Sequence, residues 1–315
     1  MVRISLLILA LAAPVRAQSW SALLEAVPGK IKIPDLPAIP ALPADGPVII
    51  SSQGAAAAGT AELFEALASA EFVYVGERHD QASHHLTQLE VLKGVRARRP
   101  GVCLGLEMLD FTQQATLDQY LSGAMSEADF KAFWQKAWGY SFDIYRPLLD
   151  YARREGIAVR ALNAPISVVR QVAKGGLSSL SAQQRALIPA VINPIRDPRY
   201  LAYVRKSLSE HGPMDPVREA RMLEAMAVWN ETMADSLLKA AASGPVVTAV
   251  GMGHVLYDAG ILESLRGRSS LPQAAVLPYP LDGEELPLAE LLRRLREPGS
   301  PDLELAGWFW LLPAP

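Results

Sequence analysis

Residues Phe72 to Asp80 read FVYVGERHD, a run of apolar and β-branched side chains that stops at Gly76 and passes at once into Glu77, Arg78, His79 and Asp80. A short apolar run of this kind predicts a strand buried on both faces, as in a parallel sheet. In open α/β sheets, ligands sit in the crevice beyond the carboxyl ends of the strands. That makes Glu77 and His79 candidate site residues. The pattern returns at Val246 to His254, VVTAVGMGH, so two strand-like runs each enter a Gly-x-x-His loop, at Gly76 to His79 and at Gly251 to His254.

Outward from this stretch, Thr60 predicts the start of a helix carrying Leu63, Phe64 and Leu67 on one face, and Ser83 the start of another carrying Leu86, Leu89, Leu92 and Val95, ended by Pro100. Val102 to Leu106 reads as a second strand with Glu107 at its end. Ile157 to Leu162, after a stop at Gly156, reads as a third running into Asn163-Ala164-Pro165, and Val246 to Val250 as a fourth. A last strand is expected at Ala274 to Leu277, and Trp308 and Trp310 share a face at period two. Strands alternating with helices predict an α/β fold: a mainly parallel β-sheet flanked by helices. Two stretches are purely helical in pattern, Thr112 to Trp138 and Ser181 to Ala242, the second punctuated by prolines. They predict an inserted helical subdomain, with insertions at about 112–145 and 178–243, positioned to wall a binding site.

The whole chain sets bounds. Its 315 residues, 50% hydrophobic and 20% charged, suit one large domain from 48 to 315. A formal charge of −3 and a pI near 6.0 give no electrostatic footprint for nucleic acid. Arg3, the apolar run Ile4 to Ala13 and Val15-Arg16-Ala17 predict a signal peptide over 1–17 with Gln18 as the first mature residue. Pro34, Pro37, Pro40 and Pro43 recur every third residue, which predicts a polyproline II spacer within 18–47. The one cysteine, Cys103, excludes an intramolecular disulfide, lies far from any lipid-attachment position and reads as a buried strand residue.

A parallel sheet delivers Glu77, His79, Glu107, Asn163 and His254 to one edge. Two histidines with carboxylates can bind a divalent transition metal, run general acid-base chemistry, or form a hydrogen-bonded network beneath a site. His84 and His85 diverge by about 100° on a helix, so at most one is expected to face the strand edge. His211 reads as a helix-end residue. No GxSxG, Walker, GxGxxG or HExxH pattern is present. Met222, Met226 and Met233, with Trp229, read as a core stripe rather than a cofactor box.

VYVGERHDQASHHLTQLEVL, GLEMLDFTQQATLDQYLSG, the Tyr145 to Leu149 segment, ALNAP and VGMGHVLYDAGI resemble, in that order, the ChaN family of haem-iron-binding uptake proteins. A further piece, Asn230 to Ala234, is similar to a D-x-x-M-A helix of that family, with Asn230 in place of Asp. The resemblance implies a sheet domain with a small helical domain, a periplasmic location, and haem (iron protoporphyrin) as ligand. It also implies a homodimer formed on haem binding, and an outer-membrane haem receptor or other uptake component as partner. Because phenolates can ligate haem iron, Tyr140, Tyr145, Tyr200, Tyr203 and Tyr257 join His79, Asn163 and His254 as candidate haem-binding residues. The paired Gly-x-x-His motifs are similar, more distantly, to those of the TraB and Tiki proteins and the erythromycin esterases. That wider likeness implies a metal-dependent or His/Glu-based hydrolase with Glu77, His79, Glu107 and His254 as its catalytic or metal-binding set.

Overall fold

A computed structural model describes residues 47–314 apart from 54, 55, 211, 213, 283 and 298. The expected signal peptide, nearly all of the proline spacer and His211 lie outside the described residues. In chain order the elements are β1 (Val48–Ser51), β2 (Ala56–Ala58), α1 (Thr60–Ala68), β3 (Phe72–Glu77), α2 (Ala82–Arg98), β4 (Cys103–Asp110), α3 (Gln114–Leu121), α4 (Glu127–Ala137), α5 (Phe142–Arg154) and β5 (Val159–Asn163). There follow α6 (Ile166–Gly175), α7 (Ala182–Arg185), α8 (Pro198–Ser209), α9 (Pro216–Ala241), β6 (Val246–Gly251), α10 (Ile261–Arg266), β7 (Gln273–Tyr279), α11 (Leu288–Arg296) and β8 (Trp308–Leu311). The described strands form one mixed sheet in the order β2-β1-β8-β7-β3-β6-β4-β5, and the fold is α/β.

The described chain divides into two compact units. The sheet unit runs from 47 to Leu106, Asp143 to Arg160 and Leu237 to 314. Within it β3 pairs in parallel with β6 and β7, which is why all six residues of FVYVGE are buried: a strand flanked on both edges and covered on both faces must be apolar throughout. β7 pairs in parallel with β8, while β1 runs antiparallel to both β8 and β2. Gly76 is required by close packing. A Cβ there would meet the Leu277 side chain and lie 3.3 Å from Met252 Cβ. Gly156, at φ 63°, turns the chain from α5 toward β5, a conformation that other residues adopt only with strain. Cys103 is buried in β4, and burial pushes its thiol up to about 11.

The helical unit comprises Glu107 to Phe142 and Ala161 to Ser236. Ser126 caps α4 by accepting from the Asp129 amide. The unit's aromatic nucleus is Tyr120 stacked on Phe130 at 4.0 Å, with Phe142 edge-on to both and Trp134 packed against it. Met222, Met226, Met233 and Trp229 of α9 are buried, so the methionine stripe is core. The unit begins before each of the expected insertions, taking in the later residues of β4 and β5 and the whole of α6, and ends before each of them, at Phe142 and Ser236.

Candidate functional site

In the sheet unit the site is built on the last residue of β3. Glu77 is 1% exposed, and both of its oxygens are engaged. Oε1 accepts from the Tyr145 hydroxyl at 2.6 Å and from His79 Nδ1 at 2.8 Å. Oε2 accepts from Gln88 Nε2 at 2.6 Å and faces His85 Nδ1 at 3.3 Å. Burial alone would push this carboxyl up, but the charge of His85 and the hydrogen bond from His79 outweigh it and hold the group well below the usual carboxylate range. The ionised carboxylate only accepts, so His79 must present Nδ1–H to it. In the neutral ring Nε2 then carries the lone pair. His79 is 12% exposed at its side chain, and Glu77 is wholly enclosed beneath it.

The loop after β3 is tied to the start of α2. The Arg78 amide donates to His84 Nδ1 at 2.9 Å, and Arg78 also donates to the Asp282 carbonyl. Burial, with the neighbouring charge of His85, pushes His84 down to about 3, which agrees with a ring that accepts at Nδ1. Both histidines are buried, and only His85 faces Glu77 at the end of β3, while His84 turns to the loop backbone. His84 serves the loop backbone and His85 serves Glu77, so two directions 100° apart are both interior.

His254 is 3% exposed and lies in the turn Met252–His254 after β6, whose Gly251 is in register with Glu77. The two Gly-x-x-His loops thus leave adjacent parallel strands. Just beyond, Tyr257 is half-buried and held at φ 63°, with Asp258 at φ 54°. Consecutive non-glycine residues in the left-handed region mark a loop constrained by its surroundings.

In the helical unit β4 continues to Asp110, so Glu107 lies inside that strand rather than at its end. Asn163 Nδ2 donates to the Glu107 carbonyl at 3.0 Å, and Asn163 Oδ1 accepts from the Ala164 amide at 2.8 Å. Glu107 and Asn163 line a cleft with Asp110, Lys136, Trp138 and Trp229. Its volume is about 90 Å³, against the roughly 300–1,000 Å³ of small-molecule pockets.

The tyrosine candidates differ in their surroundings. Tyr145 is fully buried, and its hydroxyl donates to Glu77. Tyr200 is fully buried and accepts from Asn230 Nδ2 at 3.2 Å. Tyr140 and Tyr203 are half-buried, beside Trp138 and Tyr200 respectively. Among the described residues, no group of three or more His, Cys, Asp or Glu side chains is arranged to hold a metal ion. At Glu77, four protein donors occupy the two oxygens. Sequence reasoning did not choose between His84 and His85, and it missed Gln88 and the hydrogen bond from Tyr145 to Glu77. His85 and Gln88 are three apart on α2, the spacing that puts two polar side chains on one helical face.

ChaN of Campylobacter jejuni, solved with cofacially bound heme, has a similar fold: TM-score 0.64 at 14% identity, covering 84% of this chain and 96% of that one. An erythromycin esterase, EreC, is similar over 69% of this chain and 72% of its own at 14% identity and a TM-score of 0.43, too slight a likeness to carry an argument. Protein RETICULATA-RELATED 5, chloroplastic, of Arabidopsis thaliana is 26% identical over 254 residues, 73% of this chain, and the match spans 35% of that longer protein. Residues 63–265, well over half of the sequence, match the family described as haem-binding uptake, Tiki superfamily, ChaN, and the chain belongs to that family.

Proposed function

We propose that this protein binds haem for iron uptake in the periplasm, with the iron taken by His79 Nε2. The observation that carries the reading is the Glu77–His79 pair at 2.8 Å. A histidine whose Nδ1–H is held by a carboxylate has its tautomer fixed, its ring oriented and its other nitrogen made more basic, the usual support of a metal-ligating imidazole. Bound haem supplies an iron centre, and this chain's part is to grip and release it. In this reading, haem lies on a face that a second copy of the chain covers. The cofacial heme of the Campylobacter protein supports this arrangement, and an outer-membrane receptor or another uptake component is the partner that delivers or accepts the haem.

The test is a haemin titration of the purified protein followed through the Soret band, with size-exclusion chromatography of free and loaded forms. Saturable binding with a spectrum altered by His79→Ala, and a larger species on loading, are expected. Absence of saturable binding overturns the function. Binding with an unaltered spectrum in the His79→Ala, His254→Ala double variant moves the ligand to the half-buried phenols of Tyr140, Tyr203 or Tyr257.

The same pair favours a second reading, in which His79 is a general base oriented by Glu77 and activates water in a hydrolase. Turnover of ester or peptide substrates that is lost in both Glu77→Gln and His79→Ala, in protein without haem, would establish it.

A further inference from the structure

We infer that the loop Ala186 to Ile195 docks onto the surface of a bilayer that contains anionic lipid. The sequence there reads ALIPAVINPI, ten residues in which Asn193 is the single polar side chain. It joins α7 to α8 within the helical unit, and a connection that runs over a protein surface is ordinarily polar. Among the described residues four large apolar side chains are exposed, and two of them, Leu187 and Val191, belong to this loop. Val191 is 63% exposed, while Ile188 is buried and anchors the segment. Apolar surface gathered in this way marks an interaction site. The loop is held at both ends. Where it begins, the Arg185 guanidinium donates to the carbonyls of Ile188, Pro189 and Ala190. Where it ends, Asn193 Nδ2 donates to Oε1 of Glu231, a buried residue of α9, at 3.1 Å. Its apolar side chains are thus presented with little conformational freedom left to lose on binding.

Backbone chemistry favours lipid as the occupant. Irregular chain is costly in an apolar medium, because its N–H and C=O groups give up water there. In this loop Arg185 already satisfies three consecutive carbonyls, and the Leu187 and Ile188 amides donate to the carbonyls of Gln184 and Arg185. Pro189 and Pro194 have no N–H to satisfy. Charge makes the same choice. Arg185 and Arg196 bracket the apolar run, no acidic residue occurs from Ser181 to Arg196, and Asp197 just beyond is paired with Arg199 at 2.9 Å. In a chain of formal charge −3 this is a local reversal of sign. An apolar centre between cationic shoulders matches the boundary between acyl chains and anionic headgroups. The contact is peripheral, with Leu187 and Val191 entering the boundary and the arginines meeting phosphate. It involves neither Glu77 nor His79, so it does not depend on haem.

The test is flotation of the haem-free chain from Gln18, the first residue after the expected signal peptide, with vesicles of phosphatidylcholine with and without phosphatidylglycerol. Saturable binding to the anionic vesicles, weakening as salt is raised, is expected. Val191→Asp alters an exposed side chain, so the urea midpoint should stay that of the parent while vesicle affinity falls about tenfold. Leu187→Gln should lower affinity in the same direction. Arg196→Gln should cost about fivefold on the anionic vesicles and nothing on phosphatidylcholine alone. Leu271→Gln, which changes an exposed apolar residue outside the loop, should leave binding as it is. Absence of binding to the anionic vesicles overturns the inference. So does binding that survives both loop variants, or that falls as far in Leu271→Gln. Size-exclusion chromatography without lipid supplies the remaining outcome: a larger species that Val191→Asp returns to monomer would assign the loop to a second copy of the chain and overturn docking onto lipid.

Discussion

The Tyr145 hydroxyl donates to Glu77 Oε1 at 2.6 Å, so a phenol that family likeness offers as an iron ligand is spent inside the protein on a carboxylate. Tyr145→Phe keeps the ring against His85 and removes only this bond. Loss of a hydrogen bond to a buried charge costs about 1.5–3 kcal/mol. We expect chemical denaturation to show a loss of that size, with the Soret spectrum of the haemin-loaded protein unchanged. A spectrum that shifts would return Tyr145 to the list of iron ligands.

Gly76 makes a separate prediction, about packing. The alanine methyl in Gly76→Ala would enter the space of the Leu277 side chain and press on Met252, which begins the turn leading to His254. Leu277 can shift its far end, whereas Met252 Cβ, 3.3 Å away, sits on backbone. Overpacking of this kind costs about 1–3 kcal/mol. Urea denaturation of the variant should show that loss, and an unchanged midpoint would mean that the two loops are packed less tightly than described.

His84 sets an acid dependence. Its folded value is pushed down from 6.5 to about 3. A group depressed on folding contributes its stability above the unfolded value, and that contribution is lost as the pH falls from about 6.5 toward the folded value. The loss between pH 6.5 and about pH 5 should be roughly 1–2 kcal/mol. Glu77 is also depressed, from 4.5, so its contribution is lost only below that pH. His84→Asn places an amide oxygen near the position of Nδ1 and keeps an acceptor for the Arg78 amide without a titrating ring. Urea midpoints at pH 7.5 and 5.5 should diverge less in the variant than in the parent chain, and equal divergence would remove His84 as the cause.

Much of this architecture is legible in residue order, for reasons that differ by element. FVYVGE and VVTAVG announce themselves because central parallel strands must be apolar on both faces, and the glycines after them mark where chains crowd. The antiparallel β1–β2 edge is not legible, since three alanines carry little strand preference and pair only because β1 and β8 are already in place. At the site, Glu77 and His79 are only two residues apart and could be paired by inspection. His85 and Gln88 could not, because their meeting with Glu77 depends on how α2 folds back over β3. The size of the cleft beside Glu107 is set by Trp138 and Trp229, which are 91 positions apart, and no local pattern reports such a meeting.

Asn163 clasps two stretches of backbone. Its amide nitrogen donates to the Glu107 carbonyl and its oxygen accepts from the Ala164 amide, so it fixes the end of β5 where the chain turns toward α6. In Asn163→Asp the acceptor survives, but an ionised oxygen would face the Glu107 carbonyl, an acceptor against an acceptor. The variant should lose about 1–3 kcal/mol at neutral pH. It recovers the bond only by taking a proton, so the new carboxyl is raised on folding. Its stabilising contribution is therefore present below the ordinary aspartate range and lost as the pH rises through the folded value. The deficit measured by urea denaturation should accordingly shrink between pH 7 and about pH 4.5, relative to the parent chain at each pH. Asn163→Leu, which has no group to titrate, should show a deficit that does not change with pH. A cleft of about 90 Å³ admits no porphyrin, so haemin affinity should be the same in both variants as in the parent. A large drop in affinity would mean that the cleft opens to receive haem.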